Sequence, residues 1–497
     1  MACYFLVLAL NLFCRLSQAH NNFVAATLRF VMRRLISDST LPAEDKDLLI
    51  NFPQDSRTLL NHFDLNPKLR SFVCCPCCCA LYEGDSACPE FCTFADPSGT
   101  PCSTKLKRTR TVCGTAFTRP IRKFMYQEMT EWLARMLSRT DIEDALNTSL
   151  SGIHGTSGDG PWSDIFEANV IQNFLGADGK PFIHPQGEEL HLIFALGVDG
   201  FNPFGMKVAK STGSVTGIYM ALLNLPPDIR YAPENMFLVS ITPGPKKPSL
   251  EQINHFLRPL VDDMLRFWNP GVFFTRTSRF RYGRQVLSAI IPLVCDVLGA
   301  RQVGGFLSHS ATLFCSFCLL TSDMIENFDI SSWPVRTVEE HCCHAEEWRT
   351  ATSTDERDRI AKTYGVRFSE LLRLPYWDPI HYTVLESMHA FFLHAIPEHV
   401  RYIWGMSTTA PSGDGHCSPL MKPPPKPPTE EIIMGARKLL SGKLDESHVN
   451  SISRCKKPVL WHLCFEFNLR RVGSAIMLAQ TLVNWVSISG PCQPALD

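Results

Sequence analysis

Eight of the chain's 20 cysteines fall between Cys74 and Cys102, in runs as tight as Cys74-Cys75 and Cys77-Cys78-Cys79. Such runs suit metal ligation better than a disulfide framework. The chain is also long, and much of it is nearly free of cysteine, unlike a small disulfide-stapled secreted domain. Taking Cys75, Cys78, Cys92 and Cys102 gives a CxxC followed by single cysteines at loop spacing, a thiolate set for a tetrahedral structural Zn²⁺ site. Spacing alone leaves Cys74, Cys77, Cys79 and Cys88 as alternative ligands. A basic run with Lys107 and Arg108 leaves this segment, and both are candidate DNA contacts.

With 45% apolar and 20% charged residues over 497 positions, a wholly disordered chain is excluded and a sizeable core is expected. Lys plus Arg is 48 and Asp plus Glu is 49, for a net charge of −1, so a nucleic-acid partner must be met by local basic patches. Residues 2–13 are almost all apolar, too short a run to span a bilayer, and no basic residue precedes Arg15. Helical spacing continues through Phe23, Ala26, Leu28, Phe30, Val31 and Leu35. This predicts a helical hairpin over residues 1–36, with a secretory signal ending at Ser17-Gln18-Ala19 as its rival. No later segment reads as a transmembrane helix.

Five regions follow from the pattern. Residues 1–70 read as helical, and residues 71–118 as the Cys-rich zinc module with its basic exit. Residues 119–185 read as helix, with Phe124, Met125, Met129, Trp132, Leu133, Met136 and Leu137 on one face, and then a Gly/Ser-rich linker. Residues 186–405 read as an α/β core with an insertion at about 310–375. Residues 406–497 read as a Pro-rich linker and a helical tail ending in a helix over 470–486. In the core, strands are predicted at 191–198, 215–223 and 235–241. A helix follows, with Ser249 as N-cap and Pro259 expected to kink or split it. The apolar stretch 287–295 follows, with only partial pairing expected around Pro292.

Three carboxylates stand at telling places. Asp199 ends the first strand, Asp296 follows a later strand, and Glu386 opens a helix after the insertion. Carboxylates gathered at one end of a sheet can hold two divalent cations for phosphoryl transfer, and hard oxygen ligands select Mg²⁺ or Mn²⁺. Upstream of Asp296, Arg276, Arg279, Arg281 and Arg284 alternate with aromatic residues. That pattern suits phosphate contact and base stacking. Cys315, Cys318, His341 and His389 make up a candidate second zinc set, in which His389 would tie the insertion to the Glu386 helix.

The run Asp199-Gly200-Phe201-Asn202-Pro203-Phe204-Gly205 resembles the first catalytic block of CACTA-type (En/Spm-like) DNA transposases, in their fungal branch. Further blocks resemble that family in the same order. They are Leu223-Asn224-Leu225-Pro226-Pro227, Pro243-Gly244-Pro245-Lys246-Lys247-Pro248, Cys315-Ser316-Phe317-Cys318, Leu374-Pro375-Tyr376-Trp377-Asp378-Pro379 and Glu386-Ser387-Met388-His389. The resemblance covers about residues 60–405. It implies a ribonuclease-H-like core that cleaves and transfers DNA strands at transposon ends, with Asp199, Asp296 and Glu386 as its catalytic acids. Glu386 stands where the family usually has Asp, and Ala390 where it often has Asn. The chain is shorter than autonomous members, so a truncated or decayed copy is expected. The partners implied are DNA at the terminal repeats and no membrane, with a homo-oligomer left open, and the implied location is nuclear. The rival function is a catalytically inactive protein that binds zinc and DNA without cutting.

Overall fold

The computed structural model describes residues 2–12, 14, 16–36, 51–84, 88–152, 164–183, 187–202, 213–404, 406, 429–442, 444–467, 469 and 474–489. The chain divides into two units, 1–404 and 405–497. The first is mixed α/β. Its strands are β1 (Leu69–Cys74), β2 (Leu81–Glu83), β3 (Lys107–Val112), β4 (Thr115–Pro120), β5 (Lys123–Gln127), β6 (Leu190–Phe201), β7 (Val215–Leu222), β8 (Met236–Ile241), β9 (Val272–Phe274), β10 (Arg284–Cys295) and β11 (Thr383–Leu385). Nine of these form one sheet in the order β11-β10-β6-β7-β8-β5-β1-β2, with β9 also pairing β10, while β3 and β4 form a separate ribbon.

β6, β7 and β8 are an antiparallel meander, and β10 and β11 continue the sheet parallel to β6. The connection from β8 to β10 runs through the helix Ile253–Trp268, and a shorter helix, Val297–Gly304, follows β10. β6 is apolar almost without alternation, and Leu190, Leu192, Ile193, Phe194, Leu196 and Val198 are all buried. That is the signature of a strand covered on both faces. The N-cap of the helix Ile253–Trp268 is Gln252, not Ser249, and the two hold the turn ahead of it. Each backbone amide donates to the other's side chain, at 2.9 and 3.2 Å. Pro259 neither ends nor divides this helix; it lies buried in its apolar face. Phe256 packs on Phe124 at 5.0 Å between ring centroids. Buried Asp263 accepts the Tyr126 hydroxyl at 2.6 Å and the Met129 amide at 3.3 Å, pinning the helix to β5.

Residues 123–127 are strand, not helix. Phe124 and Tyr126 are buried while Met125 between them is exposed, an alternation of period two. The apolar positions from 124 to 137 also fit a helical face, but helix begins only at Met129–Leu137, followed by Thr140–Gly152. The Cys-rich segment is likewise not a free-standing domain. β1 pairs β5, and β5 pairs β8, so it extends the same sheet. Helices Ala2–Leu12 and Gln18–Ile36 pack with Ser56–His62 around Tyr4, Val7, Leu8, Ala25, Phe52 and Leu59. Among the described residues no helix is long and apolar enough to cross a membrane.

The second unit is richer than a linker with one terminal helix. Helices Glu430–Leu439, Val449–Ile452, Lys457–Glu466 and Ala475–Ser489 share an apolar core that includes Leu440, Leu460, Leu463, Leu478 and Leu482. The Pro-rich stretch 407–428 and residues 153–163 of the Gly/Ser-rich linker lie outside the described residues.

Arg284, at the start of β10, meets Glu143 of the helix Thr140–Gly152 at 3.3 Å, with side-chain exposures of 3% and 0%. Glu143 also accepts the Ser278 hydroxyl at 2.7 Å and the Arg279 amide at 2.8 Å. Removing one partner strands a buried charge. Glu143→Ala should therefore lower the unfolding free energy by about 3 kcal/mol. Asp144→Ala, next along the chain and in an exposed pair with Arg279, should leave it nearly unchanged. Equal effects of the two substitutions in a urea titration would refute this assignment.

Candidate active site and metal centre

The parallel strands bring the three acids to one level. Leu293 of β10 is opposite Leu196 of β6, so three residues further on Asp296 stands level with Asp199. Cys295 is opposite Leu385 of β11, so one step on Asp296 is level with Glu386. Asp199 near the end of β6, Asp296 just past β10 and Glu386 just past β11 thus stand side by side on three adjacent parallel strands, at one end of the sheet. Together with Tyr219, Cys295, Met388 and His389 they line one cavity of about 320 Å³.

A bulge makes this alignment. Ile290 is opposite Phe194, but Leu293 is opposite Leu196, so β10 carries one extra residue around Pro292. Without it, Cys295 rather than Asp296 would face Asp199. Proline has no amide to donate to the ladder, which makes this the place where the register can shift at least cost. Past the bulge, Leu293 donates to the Tyr382 carbonyl at 2.7 Å.

Three glycines let neighbours close on the acids. A Cβ at Gly197 would lie 2.3 Å from the Tyr219 ring, which therefore rests on bare backbone two residues before Asp199. A Cβ at Gly299 would lie 2.9 Å from an Asp296 carboxylate oxygen and 3.1 Å from the Val198 carbonyl. The Gly299 amide instead donates to Asp296, which caps the helix Val297–Gly304. Lys247 crosses Gly200 beside Asp199 in the same manner.

Glu386 opens a π-wound helix, Met388–Ala395, a winding that often marks functional sites. It accepts the amides of Met388 and His389, each at 2.8 Å, and the His389 ring through Nδ1. Desolvation alone would raise its pKa. The amide and ring of His389 and the amide of Met388 outweigh that and hold the carboxyl below the usual range. Burial, with the charges of Cys295, Asp199 and Glu386, pushes the Tyr219 hydroxyl up. Burial likewise pushes the Cys295 thiol up to about 12, against the Val198 amide it accepts and with the Asp296 and Asp199 carboxylates. Tyr219, Cys295, Lys247 and Gly299 carry no signal of this role in the sequence, because each reaches the acids through strand pairing or loop closure.

The cysteine set assembles as spaced. The sulfurs of Cys75, Cys78, Cys92 and Cys102 all lie within 4.8 Å of one another, with Cys75 to Cys102 at 3.8 Å and Cys78 to Cys92 at 3.4 Å. Four thiolates around one zinc at bonds of ~2.3 Å would stand about 3.8 Å apart, so this cluster can hold such an ion. The CxxC sits in the turn from β1 to β2. The Cys77 amide donates to Cys75 at 3.4 Å and the Tyr82 hydroxyl to Cys92 at 3.2 Å, orienting the sulfurs. Against its burial, hydrogen bonds from Thr104 and from the Cys78 and Cys75 thiols draw Cys102 down to about 6. Cys74, Cys77, Cys79 and Cys88 are outside the cluster. Cys74 and Cys79 contact each other and Arg122 instead.

Among the described residues, Cys315, Cys318, His341 and His389 do not form a group with metal-ligating spacing. His389 is bound to Glu386. His341 is buried against Phe306, with ring centroids 4.8 Å apart, and burial followed by the nearby Arg336 charge lowers its pKa to about 3. The Arg336 guanidinium donates to the carbonyls of Cys315 and Cys318, at 3.0 and 3.1 Å. Among the described residues, the other cluster with metal-ligating spacing is Cys343, His344 and Glu347 on the helix Val338–Thr350.

The arginine loop, close to Asp296 in sequence, lies far from it in space. It enters β10 at Arg284, whereas the acids lie at the other end of that 12-residue strand, roughly 36 Å away at ~3.3 Å per residue. Arg284 is consumed by Glu143 and Arg279 by Asp144, which leaves Arg276 and Arg281 exposed on this loop. Lys107 and Arg108 fall on the separate β3–β4 ribbon, where Lys107 donates to the Cys88 carbonyl at 2.6 Å.

Purified protein should carry about one zinc per chain at the Cys75 cluster. Cys75→Ser with Cys78→Ser should abolish it, and Cys315→Ser with Cys318→Ser should leave it unchanged. Metal analysis that finds the same loss for both pairs would contradict the geometry.

No curated protein matches this chain. Residues 183–329, which run from just before β6 through Asp199 and Asp296 to the first part of the insertion, match the transposase family tnp2, and this match supports a transposase-like function.

Proposed function

We propose that this chain is a CACTA-type DNA transposase with a ribonuclease-H-like core. In this reading Asp199, Asp296 and Glu386 are its catalytic acids. The observation that carries it is the common level of three carboxylates on three neighbouring parallel strands, near the end of β6 and just past β10 and β11, two of them inside the region matching a transposase family. The strand order supports the fold. An antiparallel meander, a crossover helix and two further parallel strands give the order β11-β10-β6-β7-β8, the arrangement expected of a ribonuclease-H-like sheet.

The donor set fits hard divalent cations. All three side chains offer carboxylate oxygens to one cavity, which suits Mg²⁺ or Mn²⁺ and not the thiophilic metals. When bound, such ions supply charge neutralisation at the phosphodiester and acidify the attacking hydroxyl. The chain's own part is positioning. Gly299 holds the Asp296 carboxylate through its amide, and His389 with two backbone amides holds Glu386 ionised and aimed. Tyr219 and Met388 wall the cavity. The reaction proposed is attack of water on a phosphodiester at a transposon end, freeing a 3′-hydroxyl that then attacks target DNA. Nuclear residence follows from that substrate.

A nicking assay on duplexes carrying candidate terminal repeats, with Mg²⁺ or Mn²⁺, tests this. Asp199→Asn, Asp296→Asn and Glu386→Gln should each reduce cleavage by 10³-fold or more, on the order seen when a key charge-stabilising group is lost, and retain zinc and DNA binding. A variant that cuts at the wild-type rate removes its residue from the set. Wild-type protein that binds the duplex and never cuts it would select the rival, a binding protein without catalysis.

A further inference from the structure

The β3–β4 ribbon stands apart from the main sheet, and its residues are exposed along nearly its whole length. It springs from the zinc module. Leu106, at its base, is fully buried with Cys75, Cys88 and Cys92, and the Ile121 amide closes the ribbon on the Leu106 carbonyl at 2.9 Å. The turn at its tip is Cys113-Gly114, both at positive φ, the two-residue hairpin turn whose twist matches that of paired strands. From 103 to 127 the chain carries seven basic residues and no acidic one.

The register sorts these charges. Arg108 is directly opposite Arg119, and Arg110 is opposite Phe117, so three guanidiniums and one aromatic ring share a face. The opposite face carries Thr109 and Thr118, whose hydroxyls meet at 2.9 Å. Like charges directly opposite across two strands destabilise a ribbon, and an isolated hairpin is marginal to begin with. No carboxylate among the described residues pairs with Arg108, Arg110 or Arg119. The face is built for an anion that the described residues do not provide.

We propose that this ribbon is a DNA-binding arm that lays its arginine face into the major groove of a duplex. Its dimensions fit. Two strands ~4.8 Å apart pass into a groove about 12 Å wide, as β-ribbon readers do. Six residues per strand reach over about five base pairs at 3.4 Å each. Guanidinium groups grip phosphate oxygens in pairs, and the phosphates relieve the Arg108–Arg119 repulsion. The inference does not rest on the three acids, because it concerns a different surface and a binding step without chemistry.

The test uses the full zinc-loaded chain, a fluorescein-labelled duplex and no added Mg²⁺, with anisotropy read across a range of KCl concentrations. Arg108→Ala/Arg110→Ala/Arg119→Ala should flatten the slope of log K against log salt by about 2 to 3 and weaken binding at least ~10-fold at moderate salt. The corresponding triple lysine variant should keep the slope. Zinc content and melting temperature should be unchanged. If the alanine protein loses zinc, Arg110→Ala alone, which is clear of the cross-strand pair, should change the slope by about one. An unchanged slope overturns the proposal. So does protein that binds phosphatidylserine vesicles through these arginines and binds DNA without them. The slope is read without Mg²⁺ and without cleavage, so a failure of the cleavage reading leaves this result standing.

Discussion

The parallel pairing of β6 with β10 and of β10 with β11 is the constraint on which the site depends. Side chains at the same level of neighbouring parallel strands project to the same side, so a shift of one residue would move an acid to the opposite face. β6 and β10 are held by burial on both faces and cannot slide without exposing their apolar runs. Alignment at one end would still fail by one residue if the ladder were regular. The bulge at Pro292 supplies that residue, and the Gly299 amide then holds Asp296 where the bulge leaves it.

Much of this was legible in the residues themselves. The meander strands and the exchange of Ser249 with Gln252 follow from local pattern, as does a cysteine cluster built on a CxxC, while the choice of Cys75, Cys78, Cys92 and Cys102 over Cys74, Cys77, Cys79 and Cys88 comes from the fold. Each of these is a short-range rule: apolar run, cap spacing, CxxC. Asp199 and Asp296 stood out because acids follow long apolar strands. What could not be read was whatever depends on pairing. Residues 124–137 satisfy two periods at once, and only their partners β1 and β8 make 123–127 a strand. The arginine loop lies near Asp296 in sequence and a full strand length from it in space. His389 suits a zinc ligand by type, but it is spoken for by a carboxylate three residues earlier on its own helix.

The two candidate metal centres differ in kind. One offers four sulfurs tied by backbone and hydroxyl donors at the β1–β2 turn, and the other offers three carboxylates in an open cavity. Softness of the ligands separates the ions they accept, so a zinc ion has a better home than the acids and a magnesium ion has no use for the thiolates. Because β1 and β5 extend the sheet that carries the acids, the sulfur cluster also anchors the far strands of that sheet.

The sheet ends in strands of three residues on both sides. β2 closes one edge, and the other is shared by β9 and β11, lying in line against β10. A nine-stranded sheet with long, flat edges would offer unpaired amides and carbonyls to any passing strand. Three-residue borders, one running into the cysteine turn and the other into the Glu386 helix, give an incoming strand too little ladder to grow on. The elements that carry the two centres therefore also blunt the sheet against self-association into fibrils.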